Sequence, residues 1–253
     1  MLSHATSYAN FSGSDDFNDN SKDTTKWGTD FIQGGGALTE TNQRLQFTAT
    51  GASTNDVAVR PWIANNGSFT ANWILQLDVN LPALTLSANQ LLAIGLVVRD
   101  GDNLSSTFSA QLNFDTYTGS RRYFHSGYRV NGGSSLDVDS TTAATSAAVR
   151  IRYDAATTTL FAEADADGAV GGYNFTTFES QNISAWNMTA TSVFQGNAIG
   201  ATENSPVITS GNNIFGDNFV AAVPEPSTYI LLIAGIGIVA LKRLRRIRAQ
   251  AQF

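Results

Sequence analysis

Up to Tyr229, apolar residues in this chain recur at every second position and not at the spacing of a helix. A period of two places alternate side chains on opposite faces of a β-strand. The runs RLQFTA, NWILQLDVNL and STFSAQLNFD follow this period, and we predict that these residues face a core: Leu45, Phe47, Trp73, Leu75, Leu77, Val79, Phe108, Ala110, Leu112 and Phe114. Gly, Asn and Asp interrupt the runs, as is typical of turns.

Three further runs complete the predicted strand pattern. LLAIGLVVRD is almost wholly apolar and predicts a buried strand that ends at Arg99. The segment AAVRIRYDAATTTLFAEADADG predicts a hairpin, with Val149, Ile151 and Tyr153 on one strand face and Leu160 on the return strand. A closing strand is expected near residue 215. Many short strands without intervening helices predict one antiparallel β-sandwich domain over residues 14–222.

Charge divides the chain into an acidic body and a basic end. Residues 1–222 hold 20 of the 21 acidic residues and 10 of the 15 basic ones, a net charge of −10. Proteins that bind nucleic acid carry clusters of Lys and Arg, so the body has no electrostatic basis for that function. The chain has no cysteine, which excludes disulfides, cysteine-ligated zinc sites and thiol catalysis.

The body also resembles a known fold family. The stretch DDFNDNSKDTTKW, followed by GGGALTETNQRLQF, is similar to the opening of concanavalin A-like lectin and glucanase domains, and VRIRYDAATTTLFAEAD is similar to their late hairpin. The resemblance covers roughly residues 14–220. It implies an antiparallel jelly-roll sandwich and suggests carbohydrate as the ligand class.

The C-terminal end combines the sequence VPEPST, a short apolar run and a basic cluster. The 13 residues from Tyr229 to Leu241 span about 20 Å as a helix, against a hydrocarbon core of about 30 Å. The basic residues flank this run and are Lys242, Arg243, Arg245, Arg246 and Arg248. Long basic side chains lengthen a short span by snorkelling, and they stay on the cytoplasmic side. We therefore predict a short transmembrane helix with the acidic body outside.

These three features, in this order, resemble the PEP-CTERM sorting signal of Gram-negative bacteria. The sorting motif would be formed by Val223, Pro224, Glu225, Pro226, Ser227 and Thr228. The resemblance implies that an exosortase recognises residues 223–253 in the inner membrane, removes them, and passes the protein to the cell surface or the exopolysaccharide matrix. Prolines on both sides hold Glu225 in extended backbone, the form that a protease reads. The alternative is a permanent single-pass anchor.

The N-terminal residues 1–13 lack the basic start and the long apolar run of a signal peptide. We interpret them as a disordered start or as the remnant of an export signal, with small residues near Ser7 and Ala9 at its end. Because the body must cross the membrane, we expect an export signal that begins upstream of Met1.

The strongest catalytic candidates are Glu163, Asp165 and Asp167, which alternate along a predicted strand and so share one face. The resemblance implies a catalytic use, since concanavalin A-like glycoside hydrolases carry a Glu-x-Asp-x-Glu arrangement on a strand. Here the third position is Asp167, directly before Gly168 in a predicted turn. The alternative interpretation is a solvated acidic edge strand without catalytic function.

Polar and aromatic residues suited to sugar binding occur together in the segment RRYFHSGYR. Arginines donate hydrogen bonds and aromatic rings stack on sugars, so the glycan-contact candidates are Arg121, Arg122, Tyr123, His125 and Tyr128. The alternative is an ordinary exposed sheet face. Trp27, Trp62, Trp73 and Trp186 are predicted to pack in the core rather than to bind ligand.

Calcium is the one cofactor that the sequence suggests. The first and last strands of a jelly roll lie together, which would bring together the carboxylates of Asp15, Asp16, Asp19 and Asp217. Adjacent Asp residues are also common in ordinary loops.

The favoured interpretation is an exported, non-catalytic, carbohydrate-binding sandwich processed by exosortase. The alternatives are a glycoside hydrolase or lyase that acts on exopolysaccharide, and a structural matrix protein.

Overall fold

The computed structural model describes residues 13–63, 67–189 and 192–222, and these residues form an all-β structure. The strands are, in chain order, β1 Gly13–Asp15, β2 Phe31–Gln33, β3 Gly36–Thr41, β4 Arg44–Ala49, β5 Asn55–Pro61, β6 Gly67–Ser68, β7 Trp73–Asn80, β8 Leu91–Asp100, β9 Thr107–Asp115, β10 Arg121–Arg129, β11 Leu136–Thr141, β12 Ser146–Asp154, β13 Thr159–Asp165, β14 Thr176–Asn182, β15 Val193–Glu203 and β16 Phe215–Ala222. Two short 3-10 turns, Ser184–Trp186 and Ser210–Asn212, are the helical elements of the described residues.

The strands form two sheets in which every described pairing is antiparallel. Sheet 1 has the order β14-β13-β12-β7-β16-β4-β3, with β1 paired to β16. Sheet 2 has the order β11-β10-β9-β8-β15-β5-β2, with β6 paired to β15. All these strands belong to one compact unit that ends at Val223. The predicted antiparallel sandwich is therefore confirmed for the described residues.

The core lies between the two sheets and is built from alternate residues of each strand. Leu75, Leu77 and Val79 of β7 are buried, as are Phe108, Ala110 and Leu112 of β9. Every residue that the period of two predicted to face the core is buried. The hairpin is also confirmed, because Ile151 of β12 pairs with Ala162 of β13.

Large aromatic residues fill the core. Trp27, Trp62 and Trp73 are each 1% exposed and Trp186 is 2% exposed, which confirms that the four tryptophans pack inside. The ring centre of Trp27 lies 4.9 Å from that of Trp62 and 4.7 Å from that of Phe219. Such aromatic pairs contribute roughly 0.5–1.5 kcal/mol each beyond the apolar area that they bury.

Two glycines of β15 allow core side chains of the facing sheet to approach the backbone closely. A Cβ added to Gly200 would lie 2.3 Å from Cδ2 of Phe47, and one added to Gly196 would lie 2.6 Å from Cδ1 of Leu75. Larger residues at these two positions would force the sheets apart or displace core side chains, because protein interiors have little free space.

The first and last strands pair directly. Gly13 of β1 is opposite Ala221 of β16, and Asp15 is opposite Phe219. The sequence predicted a closing strand near residue 215, and β16 begins at Phe215. Strand β16 ends at Ala222, the residue before the VPEPST sequence.

A buried carboxylate of β5 accepts hydrogen bonds from two neighbouring turns. Asp56 is fully buried and accepts hydrogen bonds from the amides of Gly35 and Gly51, both at 2.8 Å, and from the hydroxyl of Ser53 at 2.9 Å. Burial alone would raise the pKa of Asp56, but these hydrogen bonds hold it below its usual value.

We expect Asp56→Asn to lower the free energy of unfolding at neutral pH by about 1.5–3 kcal/mol, the range for a hydrogen bond to a charged group. Because the folded-state pKa is lowered, this stabilisation is present above the unfolded-state pKa of about 4 and is lost as the pH falls through the folded-state value. Urea unfolding at neutral pH and at about pH 3 measures the difference in free energy of unfolding between wild type and Asp56→Asn. Asp102 is exposed, and Asp102→Asn is the control. If Asp56→Asn lowers the free energy of unfolding equally at both pH values, the stabilisation does not come from the ionised carboxylate.

The predicted transmembrane helix and its basic flank lie outside the described residues. Within 13–63, 67–189 and 192–222, no helix has the length and apolar character needed to cross a membrane. The interpretation of residues 1–13 concerns a segment of which only Gly13 is described.

Candidate functional site

A groove of about 850 Å³ lies on the outer face of sheet 2. All seven strands of the main path of this sheet contribute to its lining. The loops after β8 and β10 form one end of it, with Leu104, Ser105 and Gly132. Glu203 of β15 and Asn55 of β5 form the other end.

The floor of the groove is made of small and aliphatic side chains. Ala93 and Val97 of β8 lie beside Ala201 and Ile199 of β15, with Ala93 directly opposite Ala201. Gly95 lies between Ala93 and Val97, and a Cβ at this position would lie 2.4 Å from the carbonyl oxygen of Ala110. The small side chains in the middle of these two strands leave the trough open there.

One wall of the groove is polar and comes from β9 and β10. Ser109, Gln111 and Asn113 face the groove because the residues between them face the core. Tyr123 is opposite Asn113, and His125 is opposite Gln111. Two adjacent rows across the sheet therefore each pair a side-chain amide with an aromatic or imidazole ring.

One hydrogen bond orients His125, while part of the Asn113 side chain has no partner among the described residues. His125 Nδ1 lies 2.9 Å from a carboxylate oxygen of Asp139, and its Nε2 lies 3.8 Å from one of Asp137. Asn113 is 2% exposed, and its Oδ1 accepts no hydrogen bond from the described residues. Burial, with the neighbouring Asp115, raises the pKa of Tyr123 well above its usual value.

The five predicted glycan-contact residues divide between the two faces of sheet 2. Tyr123 and His125 line the groove, and Arg121 stacks on Tyr123 at 4.3 Å from the ring centre. Arg122 and Tyr128 point to the inner face, where Arg122 lies 5.1 Å from the ring centre of Phe114. The assignment of Arg122 and Tyr128 to the contact face was wrong, because even- and odd-numbered residues of one strand face opposite ways.

Glu163 is held by two arginines of the neighbouring strand. Its two carboxylate oxygens accept from Nε of Arg150 at 2.6 Å and from Nε of Arg152 at 3.0 Å, and Thr177 donates at 3.2 Å. The side chain is 5% exposed. The predicted edge strand is also wrong, because β13 lies inside sheet 1 between β12 and β14. The contacts of Glu163 are those of a structural ion pair.

Asp165 and Asp167 do not continue a catalytic face with Glu163. Strand β13 ends at Asp165, which is buried and accepts from the backbone amides of Asp167 and Asn174. Asp167 lies beyond the strand in an exposed turn, where the carboxylate of Asp165 raises its pKa. The structure therefore places two of the three carboxylates among hydrogen-bond donors of the fold and the third in solvent.

The four predicted calcium ligands are occupied by local contacts. Asp15 accepts from the amide of Phe17 at 3.0 Å and from the indole nitrogen of Trp27 at 2.7 Å. Asp16, Asp19 and Asp217 bind neighbouring backbone or side-chain groups of their own turns. In the part of the chain that the structure describes, no group of three or more acidic or histidine side chains is arranged to hold a metal ion. The calcium site stays a prediction.

Sequence reasoning missed most of the groove. The alternation that assigned Phe108, Ala110, Leu112 and Phe114 to the core also assigns the polar residues between them to the opposite face. Those residues are Ser109, Gln111 and Asn113, and three consecutive polar positions on one face were the signal that pointed to a site. The groove residues in the middle of β8 and β15, such as Ala93 and Ala201, are small and carry no such signal.

Comparison with known sequences gives a match at the C-terminal end. Residues 222–246 match the PEP-CTERM protein-sorting motif. This motif implies export and processing by an exosortase. No curated protein matches the chain in sequence.

Comparison with solved structures gives the fold. Lectin II from Ulex europaeus has 16% identity and a TM-score of 0.50, over 84% of this chain and 98% of that one. The carbohydrate recognition domain of Emp46p has 10% identity and a TM-score of 0.51, over 84% and 96%. The alginate lyase from Klebsiella pneumoniae has 8% identity and a TM-score of 0.52, over 83% and 99%.

At such low identities these likenesses concern the fold alone. They agree with the two antiparallel sheets described above and with the resemblance that the sequence carries. The chain therefore contains an all-β sandwich whose fold resembles that of legume lectins and other concanavalin A-like domains, followed by a PEP-CTERM protein-sorting motif.

Proposed function

We propose that this protein is sorted by an exosortase to the cell surface or extracellular matrix, where its sandwich binds polysaccharide in the groove of sheet 2. The groove is the observation that carries the proposal. Its volume of about 850 Å³ lies within the range of known ligand sites, and it is open along the sheet.

The lining of the groove suits a chain of sugars. Aliphatic residues such as Ala93, Val97 and Ile199 offer a surface for the C–H faces of sugar rings. The side-chain amides of Gln111 and Asn113 can each donate and accept, as sugar hydroxyls require. Ser109 adds a hydroxyl to this polar wall.

The sorting half of the proposal follows from the order of features along the chain. Strand β16 completes the sandwich at Ala222, and the matched sorting motif begins there. In this proposal the apolar run from Tyr229 to Leu241 holds the protein briefly in the inner membrane, and the following arginines keep the chain end in the cytoplasm. Exosortase then releases the sandwich to the outside.

A lyase is the second candidate, and the groove itself favours it over a hydrolase. Elimination from a uronate needs a general base and a group that stabilises the carboxylate. His125 and Tyr123 face the groove beside Gln111 and Asn113, whereas Glu163 is engaged by two arginines on the other sheet. The likeness in fold to the alginate lyase from Klebsiella pneumoniae is compatible with this candidate.

Incubating the full chain, in detergent micelles, with a panel of bacterial exopolysaccharides separates these functions. We expect biolayer interferometry to detect binding to at least one polysaccharide. We expect no increase in the ultraviolet absorbance, which the unsaturated products of a lyase would cause. Absorbance growth that disappears in His125→Ala would establish the lyase instead. If no polysaccharide of the panel is bound or cleaved, the binding function fails and a structural matrix role remains.

A further inference from the structure

Four cations of the sandwich have no carboxylate partner. Ten Lys and Arg residues lie between residues 13 and 222, and all are described. Six of them have a carboxylate oxygen within 4.0 Å: Lys22, Lys26, Arg60, Arg121, Arg150 and Arg152. Among the described acidic residues, no such partner lies near Arg44, Arg99, Arg122 or Arg129. Only Arg99 and Arg129 of these four line the groove.

The strand register brings Arg99 and Arg129 into one row at one end of the groove. Thr107 of β9 is opposite Arg99 of β8 on one side and opposite Arg129 of β10 on the other. Two strand spacings separate the arginine backbones by about 10 Å, a gap that one ligand group can bridge with these long side chains. Arg129 is exposed and free to close on a ligand.

Arg99 carries a cost that a bound anion would remove. Its Nε is buried and has no hydrogen-bond partner among the described residues. Burial also lowers the pKa of the Arg99 guanidinium, in the absence of any nearby carboxylate to compensate. A carboxylate accepts two parallel hydrogen bonds from a guanidinium, and such charge-assisted pairs are among the strongest hydrogen bonds in proteins.

The opposite end of the groove carries the opposite charge. Glu203 is opposite Leu91 of β8, eight residues from Arg99 along the strand, or about 27 Å. No described cation lies within 4.0 Å of the Glu203 carboxylate, which accepts a hydrogen bond from the hydroxyl of Tyr117. Burial and this carboxylate raise the pKa of Tyr117 to about 12. On the β11 wall, Asp139 is opposite His125 and paired with Arg121 at 3.3 Å, and Asp137 is opposite Gly127, two residues from Arg129, so Glu203 is the unpaired carboxylate of this end.

Resting on the proposed function, we infer that the groove selects a polysaccharide in which neutral sugars separate single carboxylates, and that one carboxylate binds between Arg99 and Arg129. A polymer with a carboxylate on every sugar would also place negative charge beside Glu203, where it is repelled. A wholly neutral polymer would leave the arginine row unpaired.

Three polysaccharides test the inference on the full chain in detergent micelles. Deacylated gellan separates its glucuronates with neutral sugars, its carboxyl-reduced derivative keeps the same backbone without charge, and alginate carries a carboxylate on every sugar. We expect gellan to bind about tenfold or more tighter than its reduced derivative, the effect of one charge-assisted hydrogen bond. Gellan should also bind more tightly than alginate. The Glu203→Gln variant should bind alginate more tightly than wild type does, which reduces the difference in affinity between the two polymers.

Arg129→Gln and Arg99→Gln should each abolish the preference for gellan over its reduced derivative. The control is Arg44→Gln, which removes the same charge from the other sheet, where Arg44 stacks on Phe215. Arg129 is exposed, so its variant keeps the test valid if Arg99→Gln unfolds the protein. Raised salt should weaken the preference as well.

Equal binding of wild type to gellan and to its reduced derivative would overturn this inference and leave polysaccharide binding intact. Alginate binding as tight as gellan, unchanged by Glu203→Gln, would overturn the role of the acidic end. Failure to bind any of the three contradicts the inference, and it contradicts the proposed function only if the wider panel of exopolysaccharides is not bound either.

Discussion

Replacing Pro224, Glu225 and Pro226 by three alanines is expected to block C-terminal processing completely. Proline disfavours a helix and favours extended backbone, so we expect this stretch to be extended when the protease reads it. Alanine has the highest helix propensity, so the replacement would favour extension of the predicted apolar helix over the site that the protease reads. The apolar run from Tyr229 to Leu241 is unchanged, so membrane insertion should proceed.

An immunoblot of membrane and surface fractions measures this effect in a bacterial host that carries an exosortase. Wild type should reach the surface without the 30 residues that follow Val223. The triple-alanine variant should accumulate uncut in the inner membrane, at the full mass of 26.9 kDa. A control with alanines at Gln250, Gln252 and Phe253 should be processed like wild type. If wild type and the triple-alanine variant have the same size and location, the tail is an ordinary anchor.

The period-two pattern was enough to predict the sandwich and part of its core. Strand β4 has the predicted bounds, Arg44–Ala49, and the alternating residues of β7 and β9 face the core as expected. These predictions succeed because burial of one face fixes strand register, and the positions of the apolar residues show which face is buried. The connection between strands needs no further information in a hairpin such as β12–β13.

The roles of individual polar residues depended on pairing between strands. The role of Glu163 was predicted from Asp165 and Asp167, which follow it on its own strand. Its contacts come instead from the neighbouring strand, where Arg150 is opposite it on β12. The predicted hairpin implied that pairing, since both strands and their connection were already assigned. Arg122 was misplaced for a simpler reason, because adjacent strand residues were assigned to one face.

The groove could not be predicted because it is formed by strands that are distant in sequence. Its floor joins β8 to β15, where Ala93 is opposite Ala201 more than a hundred residues later. Small residues at such positions carry no chemical signal of their own. The charge difference between Arg99 and Glu203 is likewise visible only once register places them at opposite ends of one trough.

Filling the groove is expected to have the largest effect on binding. Ala201 lies on the floor, partly exposed, between Ala93 of β8 and Val57 of β5. Its small neighbours leave room for an indole to lie across the trough, outside the core. Ala201→Trp should therefore leave the free energy of unfolding within about 0.5 kcal/mol of wild type, as for most surface substitutions. Polysaccharide would have to displace the indole or lose its contacts with the floor.

Thr39→Trp is the matched control. Thr39 is exposed on β3 of the other sheet, so the same residue is added to a strand surface away from the groove. Circular dichroism melts of both variants establish that each is folded before binding is compared.

The most direct test of the account is the affinity of these two variants for the polysaccharide that wild type binds most tightly, measured by biolayer interferometry on full-length protein in detergent micelles. We predict that Ala201→Trp loses at least about tenfold in affinity, equivalent to about 1.4 kcal/mol, and that Thr39→Trp binds like wild type. If Ala201→Trp is folded and binds polysaccharide as tightly as wild type, the groove of sheet 2 is not the binding site.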